Sequence, residues 1–207
     1  MAQIEVSVSG IKLRGVLEAP KGASGLILFS HGSGSSRLSP RNNYVARVLN
    51  EAGLATLLFD LLTEEEDAVY ENRFNIDVLT ERLKAVTKWC QQNSDTNQLK
   101  VGYFGASTGA ACALKAAAIS PEVMAVVSRG GRPDLAGDDL FKVKCPTLLI
   151  VGGLDEAVIE MNRAADKKLG GPHKVEIVPG ATHLFEEPGT LEKVAELAAD
   201  WFRRYLK

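Results

Sequence analysis

Two hydrophobic patterns divide the chain into predicted strands. Near the start, apolar and polar residues alternate over 4–8 and partly over 11–17, with Ser9 and Gly10 between them. This alternation predicts two half-buried strands that form a hairpin at one edge of a sheet. The later runs are nearly all apolar, which predicts parallel strands covered on both faces. These apolar runs are residues 26–29, 54–59, 101–104, 123–127 and 147–151. A last strand is predicted over 174–178, directly before Pro179.

Segments with helical spacing lie between these strands. They are residues 43–52, 76–90, 107–119, 156–169 and 191–205. Because strand and helix alternate after the hairpin, the sequence predicts an α/β fold with a mostly parallel, doubly wound sheet and an N-terminal antiparallel hairpin. Ligands of such sheets bind beyond the carboxyl ends of the strands, so residues at those ends are the first candidates for function.

The size and charge of the chain narrow the classes of function. Its 207 residues are enough for one well-buried core, and we expect a single domain over 1–207. The net charge of −2 and the scattered basic residues argue against nucleic acid and favour a small neutral or anionic ligand. Residues 1–5 lack a secretory signal and no stretch is long enough to cross a bilayer, so we expect a soluble cytoplasmic protein without membrane contacts. The sequence leaves a homodimer open.

The cysteines and acidic residues give no sign of a metal. Cys90, Cys112 and Cys145 are odd in number and widely spaced, unlike the close pairs of metal sites and disulfide frameworks. We therefore expect buried, reduced thiols. The acidic run 64–67 is predicted to be a solvated loop, and its spacing gives no reason to infer a metal. No cofactor is expected.

The most informative motif is Gly105-Ala106-Ser107-Thr108-Gly109, which lies between a predicted strand and a predicted helix. A serine on so tight a turn is forced into a sparsely populated backbone conformation, and the flanking segments approach so closely that only small residues fit. Gly105 and Gly109 meet this requirement. The placement is typical of a nucleophile elbow with Ser107 as the nucleophile.

The nucleophile needs two partners. A serine hydroxyl needs a base that accepts its proton, and the base needs an acid that fixes its tautomer. His173 precedes a strand at the wrong end of the sheet, and His31 is better suited to holding the shape of its loop. His183 follows the last strand, at the same end as Ser107. Asp155 also emerges at the carboxyl end of a strand, which completes one of the known chain orders of a Ser-Asp-His triad.

Each member of this triad also has a simpler interpretation. Ser107 and Asp155 could be ordinary helix N-caps, and His183 an ordinary loop histidine. We favour the catalytic interpretation because all three residues fall at matching strand ends.

The reaction also needs donors for an oxyanion. A tetrahedral intermediate is stabilised by two backbone N–H groups. The first is predicted to be the N–H of Thr108, at the positive end of a helix dipole. The second is expected from the loop after residues 29–31, with Ser33 as the predicted donor and Gly34 as the alternative.

Residues 32–37 of this loop are rich in glycine and hydroxyl groups and could also form a phosphate-binding turn. No Gly-Lys-Ser/Thr closes the loop, and Pro40 is expected to interrupt it before a helix starts, so a nucleotide is disfavoured. Arg37 and Arg41 are predicted either to attract an anionic part of the substrate or to be ordinary solvent-exposed surface residues.

Arg129 directly follows a buried strand beside the predicted site. A guanidinium there is costly unless a carboxylate pairs with it. We slightly favour a structural salt bridge, with binding of a substrate carboxylate as the alternative.

Together these motifs resemble the α/β-hydrolase superfamily, and within it the small dienelactone-hydrolase-like proteins, some of which are fused to or lie beside phosphoribosyltransferase domains. The resemblance covers the whole chain and rests on His31-Gly32-Ser33-Gly34, the elbow at Ser107, Gly153-Leu154-Asp155 and Ala181-Thr182-His183. It implies hydrolysis of carboxylic esters, lactones or thioesters without a cofactor. Dienelactone hydrolase is known for a cysteine nucleophile, whereas this chain has Ser107 at the matching position.

Three functions therefore stay open. The first is a serine hydrolase that acts through Ser107, His183 and Asp155 and an acyl-enzyme. The second is acyl transfer by the same residues, and the third is non-catalytic binding of a small carboxylate through Arg129. Only residues 130–145 join the sixth and seventh strands, too few for a lid of several helices. We therefore expect no cap domain and a shallow, open pocket for small acyl groups.

Overall fold

The computed structural model describes residues 2–8 and 10–207. Within these residues, eight strands form one sheet in the order β1-β2-β4-β3-β5-β6-β7-β8. They are β1 (Ala2–Val8), β2 (Ile11–Glu18), β3 (Gly25–Ser30), β4 (Ala55–Phe59), β5 (Lys100–Ala106), β6 (Val123–Arg129), β7 (Thr147–Gly152) and β8 (His173–Val178). The β1–β2 and β2–β4 pairs are antiparallel and the others are parallel. The predicted strands and edge hairpin are confirmed, and Ser9 of the hairpin turn lies outside the described residues.

Helices cover both faces of the sheet. They are α1 (Pro40–Glu51), α2 (Glu64–Asp67), α3 (Ile76–Gln92), α4 (Thr108–Ile119), α5 (Glu156–Asp166) and α6 (Thr190–Tyr205), with 3₁₀ segments at Tyr70–Phe74 and Pro133–Lys142. Helices α1 and α6 pack on one face, and α3, α4 and α5 pack on the other. Within the described part of the chain, no helix combines the length and apolar character that a bilayer crossing requires.

Strand β3 shows why the central runs are continuously apolar. Leu26 and Leu28 face the core beneath α3 and α4, whereas Ile27 and Phe29 face the core beneath α1 and α6. Alternate residues of a strand point to opposite faces. A strand with a core on each face must therefore be apolar at every position, and the doubly wound arrangement is confirmed.

Helix α1 begins earlier than predicted. We expected Pro40 to interrupt the chain before a helix, but Pro40 is the first residue of α1, and Ser39 caps the helix by accepting a hydrogen bond from the Asn42 N–H at 3.3 Å. Proline is well tolerated there because the first N–H groups of a helix have no helical partner.

The acidic run 64–67 is also not the loop that we predicted, because it forms α2. The Glu66 N–H donates to Thr63 Oγ1 at 3.2 Å, and the Thr63 N–H donates to the Glu66 carboxylate at 2.9 Å. This capping box and the favourable position of negative charge at a helix N-terminus explain why an acidic segment turns helical here.

The connection between β6 and β7 contains only the 3₁₀ segment 133–142, which is kinked at Gly137. This segment packs against α4 and is too short to build a lid of several helices. The prediction that no cap domain is present is confirmed.

The cysteines are free in this structure, with Cys90 and Cys112 buried. Burial raises the pKa of both thiols to about 12. A thiol in such an environment stays protonated and unreactive at neutral pH. The predicted burial is therefore confirmed for Cys90 and Cys112 but not for Cys145, which is half-buried. The reduced state of the thiols stays a prediction.

Candidate active site

The turn at Ser107 has the geometry that its sequence predicts. Ser107 lies between β5 and α4 with φ 51° and ψ −124°, which L-residues rarely adopt. A methyl group at Gly109 would lie 2.1 Å from the carbonyl oxygen of Ser30, and one at Gly105 would lie 2.5 Å from Ala110 Cα. Only glycine fits at either position, so the close approach of strand and helix depends on both.

The hydroxyl of Ser107 does not cap the N-terminus of α4. Ser107 occupies the N-cap position of α4 but makes no side-chain capping hydrogen bond. Its backbone is anchored instead, because its N–H donates to the Arg129 carbonyl at 3.2 Å and its own carbonyl accepts from the Arg132 N–H at 3.1 Å. The N-cap interpretation is therefore wrong, and the side chain is partly exposed.

Asp155 and His183 form a short hydrogen bond. His183 Nδ1 and Asp155 Oδ2 are 2.6 Å apart, and the side chains are 38% and 16% exposed, respectively. Asp155 stands at the N-cap of α5 but makes no capping bond. Because a carboxylate only accepts, the neutral ring carries its proton on Nδ1 and presents the lone pair of Nε2.

Ser107 and His183 both adjoin Gly130. This glycine follows Arg129, whose carbonyl binds the Ser107 N–H. A methyl group at Gly130 would lie 3.5 Å from both Cε1 and Nδ1 of the His183 ring. Among the hydrogen bonds of the described residues, none joins Ser107 Oγ to His183, whose ring bonds to Asp155. Catalytic bonds of this kind often form only with substrate bound.

The predicted oxyanion donors lie beside the nucleophile. Thr108 is the first residue of α4, so its N–H has no helical partner. The Ser33 N–H is close by, but it donates to Thr108 Oγ1 at 2.9 Å. Ser33 is therefore in the predicted place with its N–H already engaged. Gly34, the alternative donor, adopts a left-handed turn conformation with φ 67°.

His31 holds the loop between β3 and α1. Its Nδ1 donates to the Gly32 carbonyl at 3.0 Å, and its Nε2 accepts from the Leu61 N–H at 3.1 Å. Burial lowers the pKa of His31 below its usual value, which favours the neutral ring that this pair of bonds requires. His173 is the first residue of β8, at the opposite end of the sheet, as predicted.

Arg129 is buried, and no carboxylate of the described residues pairs with it. It is 8% exposed, and its Nη2 donates to Asn42 Oδ1 in α1 at 3.4 Å. Within residues 2–8 and 10–207, its Nε and Nη1 have no hydrogen-bond partner. Burial and the neighbouring charge of Arg41 lower the pKa of Arg129 to about 10. The structural salt bridge that we favoured is therefore wrong, because the one recorded partner is a neutral amide.

The other two arginines near the site are paired. Arg37 forms an ion pair with Asp60, and its N–H donates to the same carboxylate at 2.8 Å. Arg41 binds Glu186 at 3.1 Å. The Arg37 pair ties the loop after β3 to the end of β4 and leaves the Arg37 side chain only 16% exposed, so it is not a plain surface residue. Substrate binding by Arg37 stays a prediction.

Sequence reasoning missed three residues that shape this region. Gly130 could have been found, because a glycine directly after a strand at the catalytic end of a sheet often marks a close approach. Asp60 could also have been found, because it directly follows β4 and therefore lies at the same end of the sheet. Asn42 carried no such signal, because a polar residue in the first turn of a helix is ordinary.

The strand order and the position of the strained serine are those of the α/β-hydrolases. Within this class, the model of the Dienelactone hydrolase family matches residues 14–207, and the chain belongs to that family. Membership of this family supports hydrolase chemistry for the matched residues.

Several individual proteins are similar to this chain. The crystallised dienelactone hydrolase of Anabaena variabilis ATCC 29413 is 57% identical, with 100% of this chain and 98% of that chain covered and a TM-score of 0.97. Est1E from Butyrivibrio proteoclasticus shares the fold at 20% identity, with 99% and 98% covered and a TM-score of 0.84.

A longer relative comes from Mycobacterium tuberculosis (strain CDC 1551 / Oshkosh) and bears the name "Putative phosphoribosyl transferase MT0597". It is 56% identical over 206 residues, which are 99% of this chain and 46% of the relative. This chain therefore spans about half the length of that relative, whose name describes the whole protein.

Proposed function

We propose that the protein is a serine hydrolase that cleaves small carboxylic esters, lactones or thioesters through an acyl-enzyme. In this proposal Ser107 is the nucleophile, His183 the general base and then the general acid, and Asp155 the residue that fixes the tautomer of the ring. No cofactor takes part. The dienelactone hydrolase family and the geometry at the carboxyl ends of β5, β7 and β8 support it.

The proposed reaction has two halves. His183 Nε2 accepts the proton of Ser107 as Oγ attacks the substrate carbonyl, and the ring then returns that proton to the leaving oxygen or sulfur. The resulting acyl-enzyme is hydrolysed by a water that the same ring deprotonates. Transfer of the acyl group to another acceptor would use the same residues.

The observation that carries the proposal is the 2.6 Å bond between His183 Nδ1 and Asp155 Oδ2. The strained backbone of Ser107 adds to it. Asp155 stands at a helix N-cap and Ser107 at another, yet neither side chain caps its helix. A strained residue whose side chain is not used structurally is typical of a functional site.

Labelling with a fluorophosphonate tests the nucleophile. We expect the probe to phosphonylate Ser107 in the folded protein at neutral pH, because this reaction requires an activated serine. Peptide mass spectrometry identifies the modified residue, and heat-unfolded protein is the control. Lack of labelling in the folded protein, or labelling of another serine alone, would contradict the proposal.

The open architecture supports a small substrate. The connection between β6 and β7, residues 130–146, builds no lid, and long acyl chains need an enclosed apolar tunnel. We therefore propose short acyl groups as the substrates, with neither nucleic acid nor membrane as a partner. The cytoplasmic location and a homodimer stay predictions from the sequence.

Arg129 supports a second candidate function, the binding of a small carboxylate. A buried guanidinium whose Nε and Nη1 lack partners among the described residues is costly. A carboxylate from a ligand or from an acidic substrate would compensate this charge. We propose that Arg129 binds this carboxylate. The protein would then be either a hydrolase that acts on acidic substrates or a non-catalytic protein that binds a small carboxylate.

Matched esters test this assignment. We expect the protein to prefer monomethyl succinate over methyl butyrate, and Arg129→Met to lower that ratio of kcat/KM values by about tenfold or more, since a charge-assisted hydrogen bond contributes about 1.5–3 kcal/mol. Arg132→Met is the control, because Arg132 pairs with Asp134 at 2.8 Å. An unchanged ratio in Arg129→Met would exclude Arg129 as the carboxylate ligand. Stabilisation by succinate without any ester turnover would instead favour the non-catalytic binding protein.

A further inference from the structure

The loop that carries His183 is fixed through its backbone. The Thr182 carbonyl accepts a hydrogen bond from the Phe185 N–H at 3.3 Å, which closes a turn around His183 and Leu184. A methyl group at Gly152 would lie 2.6 Å from the Thr182 carbonyl oxygen, so only glycine lets the end of β7 approach this peptide so closely. Because a peptide unit is planar, the direction of the Thr182 carbonyl also orients the backbone of His183.

Phe185 ends this turn in a strained conformation. Among the described residues other than glycine, only Ser107 and Phe185 have a positive φ, which is 55° for Phe185. The Phe185 ring is buried in the core beneath α1 and α6. Strain of this kind persists only where the surrounding contacts impose it. One of the two strained residues is therefore the candidate nucleophile, and the other lies two positions after the candidate base.

The Glu187 carboxylate binds both hydrogen-bond donors of Thr182. Its Oε2 accepts from the Thr182 N–H at 3.1 Å, and its Oε1 accepts from the Thr182 hydroxyl at 2.6 Å. The bonds from the Thr182 hydroxyl and N–H lower the pKa of Glu187 below its usual value, so the carboxylate is ionised at neutral pH. The residue before His183 is thus bound through its amide and its hydroxyl as well as through its carbonyl.

Glu187 is itself attached to the beginning of α6. Its carbonyl accepts from the Thr190 N–H at 3.1 Å and from the Thr190 hydroxyl at 2.7 Å. Thr190 is buried, and α6 packs on the sheet through a buried apolar face. Hydrogen bonds therefore connect a firmly packed helix, through Glu187, to the residue that precedes His183.

We propose that Glu187 is a positioning residue for His183, which keeps the ring where it can accept the Ser107 proton. The inference rests on the proposed hydrolase function. Asp155 fixes the proton on Nδ1 across 2.6 Å, whereas Glu187 acts through Thr182 and fixes the backbone from which the ring extends. A displacement of about 1 Å in a reacting group can lower the rate by about 10²-fold. Glu187 therefore affects the rate and needs no contact with the substrate.

Glu187→Ala tests the inference, because it removes both bonds to Thr182 and leaves the backbone bonds to Thr190. We expect kcat to fall by about 10–10²-fold with KM changed only slightly. The urea unfolding midpoint should stay near the wild-type value, since the lost bonds are exposed. Glu187→Gln should recover most of the rate, because its amide can accept from the Thr182 N–H and donate to the hydroxyl oxygen. Wild-type kcat in Glu187→Ala would overturn the proposal.

Glu186→Ala is the matched control. Glu186 is the neighbouring carboxylate of the same loop, but it binds Arg41 at 3.1 Å and its side chain is 63% exposed. We expect this variant to keep the wild-type kcat. An equal loss of kcat in Glu186→Ala and Glu187→Ala would assign the effect to general loosening of the loop and reject the specific role of Glu187.

Thr182→Val provides a second test that holds even if Glu187→Ala does not fold. Valine keeps the shape and the N–H but removes the hydroxyl that forms the 2.6 Å bond. We expect kcat to fall severalfold, by less than in Glu187→Ala, and Thr182→Ser to keep the wild-type kcat because serine retains the hydroxyl. Wild-type kcat in Thr182→Val would count against the proposal, as would an equal loss in Thr182→Ser.

The proton between His183 Nδ1 and Asp155 reports the position of the ring without any substrate. A proton in so short a hydrogen bond resonates far downfield in a proton NMR spectrum. We expect this resonance in the wild type, Glu187→Gln and Glu186→Ala, and expect it to shift or broaden in Glu187→Ala. An identical resonance in Glu187→Ala and the wild type would reject the positioning role and leave the proposed function intact. A wild-type protein that neither reacts with a fluorophosphonate nor turns over esters would reject the proposed function itself.

Discussion

Replacing Ser107 with glycine is expected to abolish ester turnover and to stabilise the fold at the same time. Removal of a serine nucleophile lowers kcat by about 10⁶-fold in comparable triads. Ser107 has φ 51° and ψ −124°, which glycine adopts freely, whereas strain of this kind costs about 1–3 kcal/mol in other residues. We therefore expect the free energy of unfolding to rise by about 1–2 kcal/mol. Steady-state kinetics and urea unfolding measure the two effects.

Two variants separate the loss of the hydroxyl from the relief of strain. Ser107→Ala keeps Cβ and thus the strain, so it should lose the same activity without the gain in stability. Gly137 has nearly the same backbone conformation, φ 55° and ψ −129°, and a methyl group there would meet nothing within 4 Å. Gly137→Ala should therefore destabilise the fold by about 1–2 kcal/mol through strain alone. Turnover by Ser107→Ala at the wild-type rate would place the nucleophile elsewhere.

Replacing Asp155 with asparagine is expected to lower kcat by about 10⁴-fold, the loss seen when the acid of such a triad is made neutral. The carboxylate holds the proton of His183 on Nδ1 across 2.6 Å. An amide can present its NH₂ group to the ring instead, which would turn Nε2 into the donor and leave no lone pair for Ser107. The rate of phosphonylation of Ser107 should fall in parallel.

The chain contains a matched control for this change. Asp166 Oδ1 lies 3.4 Å from His173 Nε2, a second Asp–His pair away from the proposed site, since His173 begins β8 at the opposite end of the sheet. We expect Asp166→Asn to keep the wild-type kcat. Equal kcat values for Asp155→Asn and the wild type would show that this carboxylate has no catalytic role, even if Ser107 still reacts with the probe.

The fold was predictable because its sheet is covered on both faces. A strand such as β3 must then be apolar at every position. This pattern can be recognised in the sequence without knowing which elements pack against the strand. The start of α1 at Pro40 and the helix over 64–67 were not predicted. Both depend on caps, which a hydrophobic pattern does not record.

The position of the candidate triad residues could be predicted from their place in the chain. Ser107, Asp155 and His183 each follow a strand, and parallel strands bring their carboxyl ends to one edge of the sheet. The partner of Arg129 was not predictable, because Asn42 is 87 residues away and belongs to another element. The hydrogen bond from the Ser33 N–H to Thr108 Oγ1 was not predictable for the same reason, because the two residues are 75 positions apart.

The sequence alone therefore determined the alternation of strands and helices, the tight turn at Ser107 and the sheet edge at which the candidate catalytic side chains emerge. These follow from short-range periodicity and from steric limits that act between neighbours in the chain. Only the tertiary structure decided which atoms pair. It joins His183 to Asp155 and the Ser33 N–H to Thr108, and it leaves Nε and Nη1 of Arg129 without a partner among the described residues. Hydrogen bonds and charges act over a few ångströms, so their partners depend on how distant segments pack and not on the order of residues.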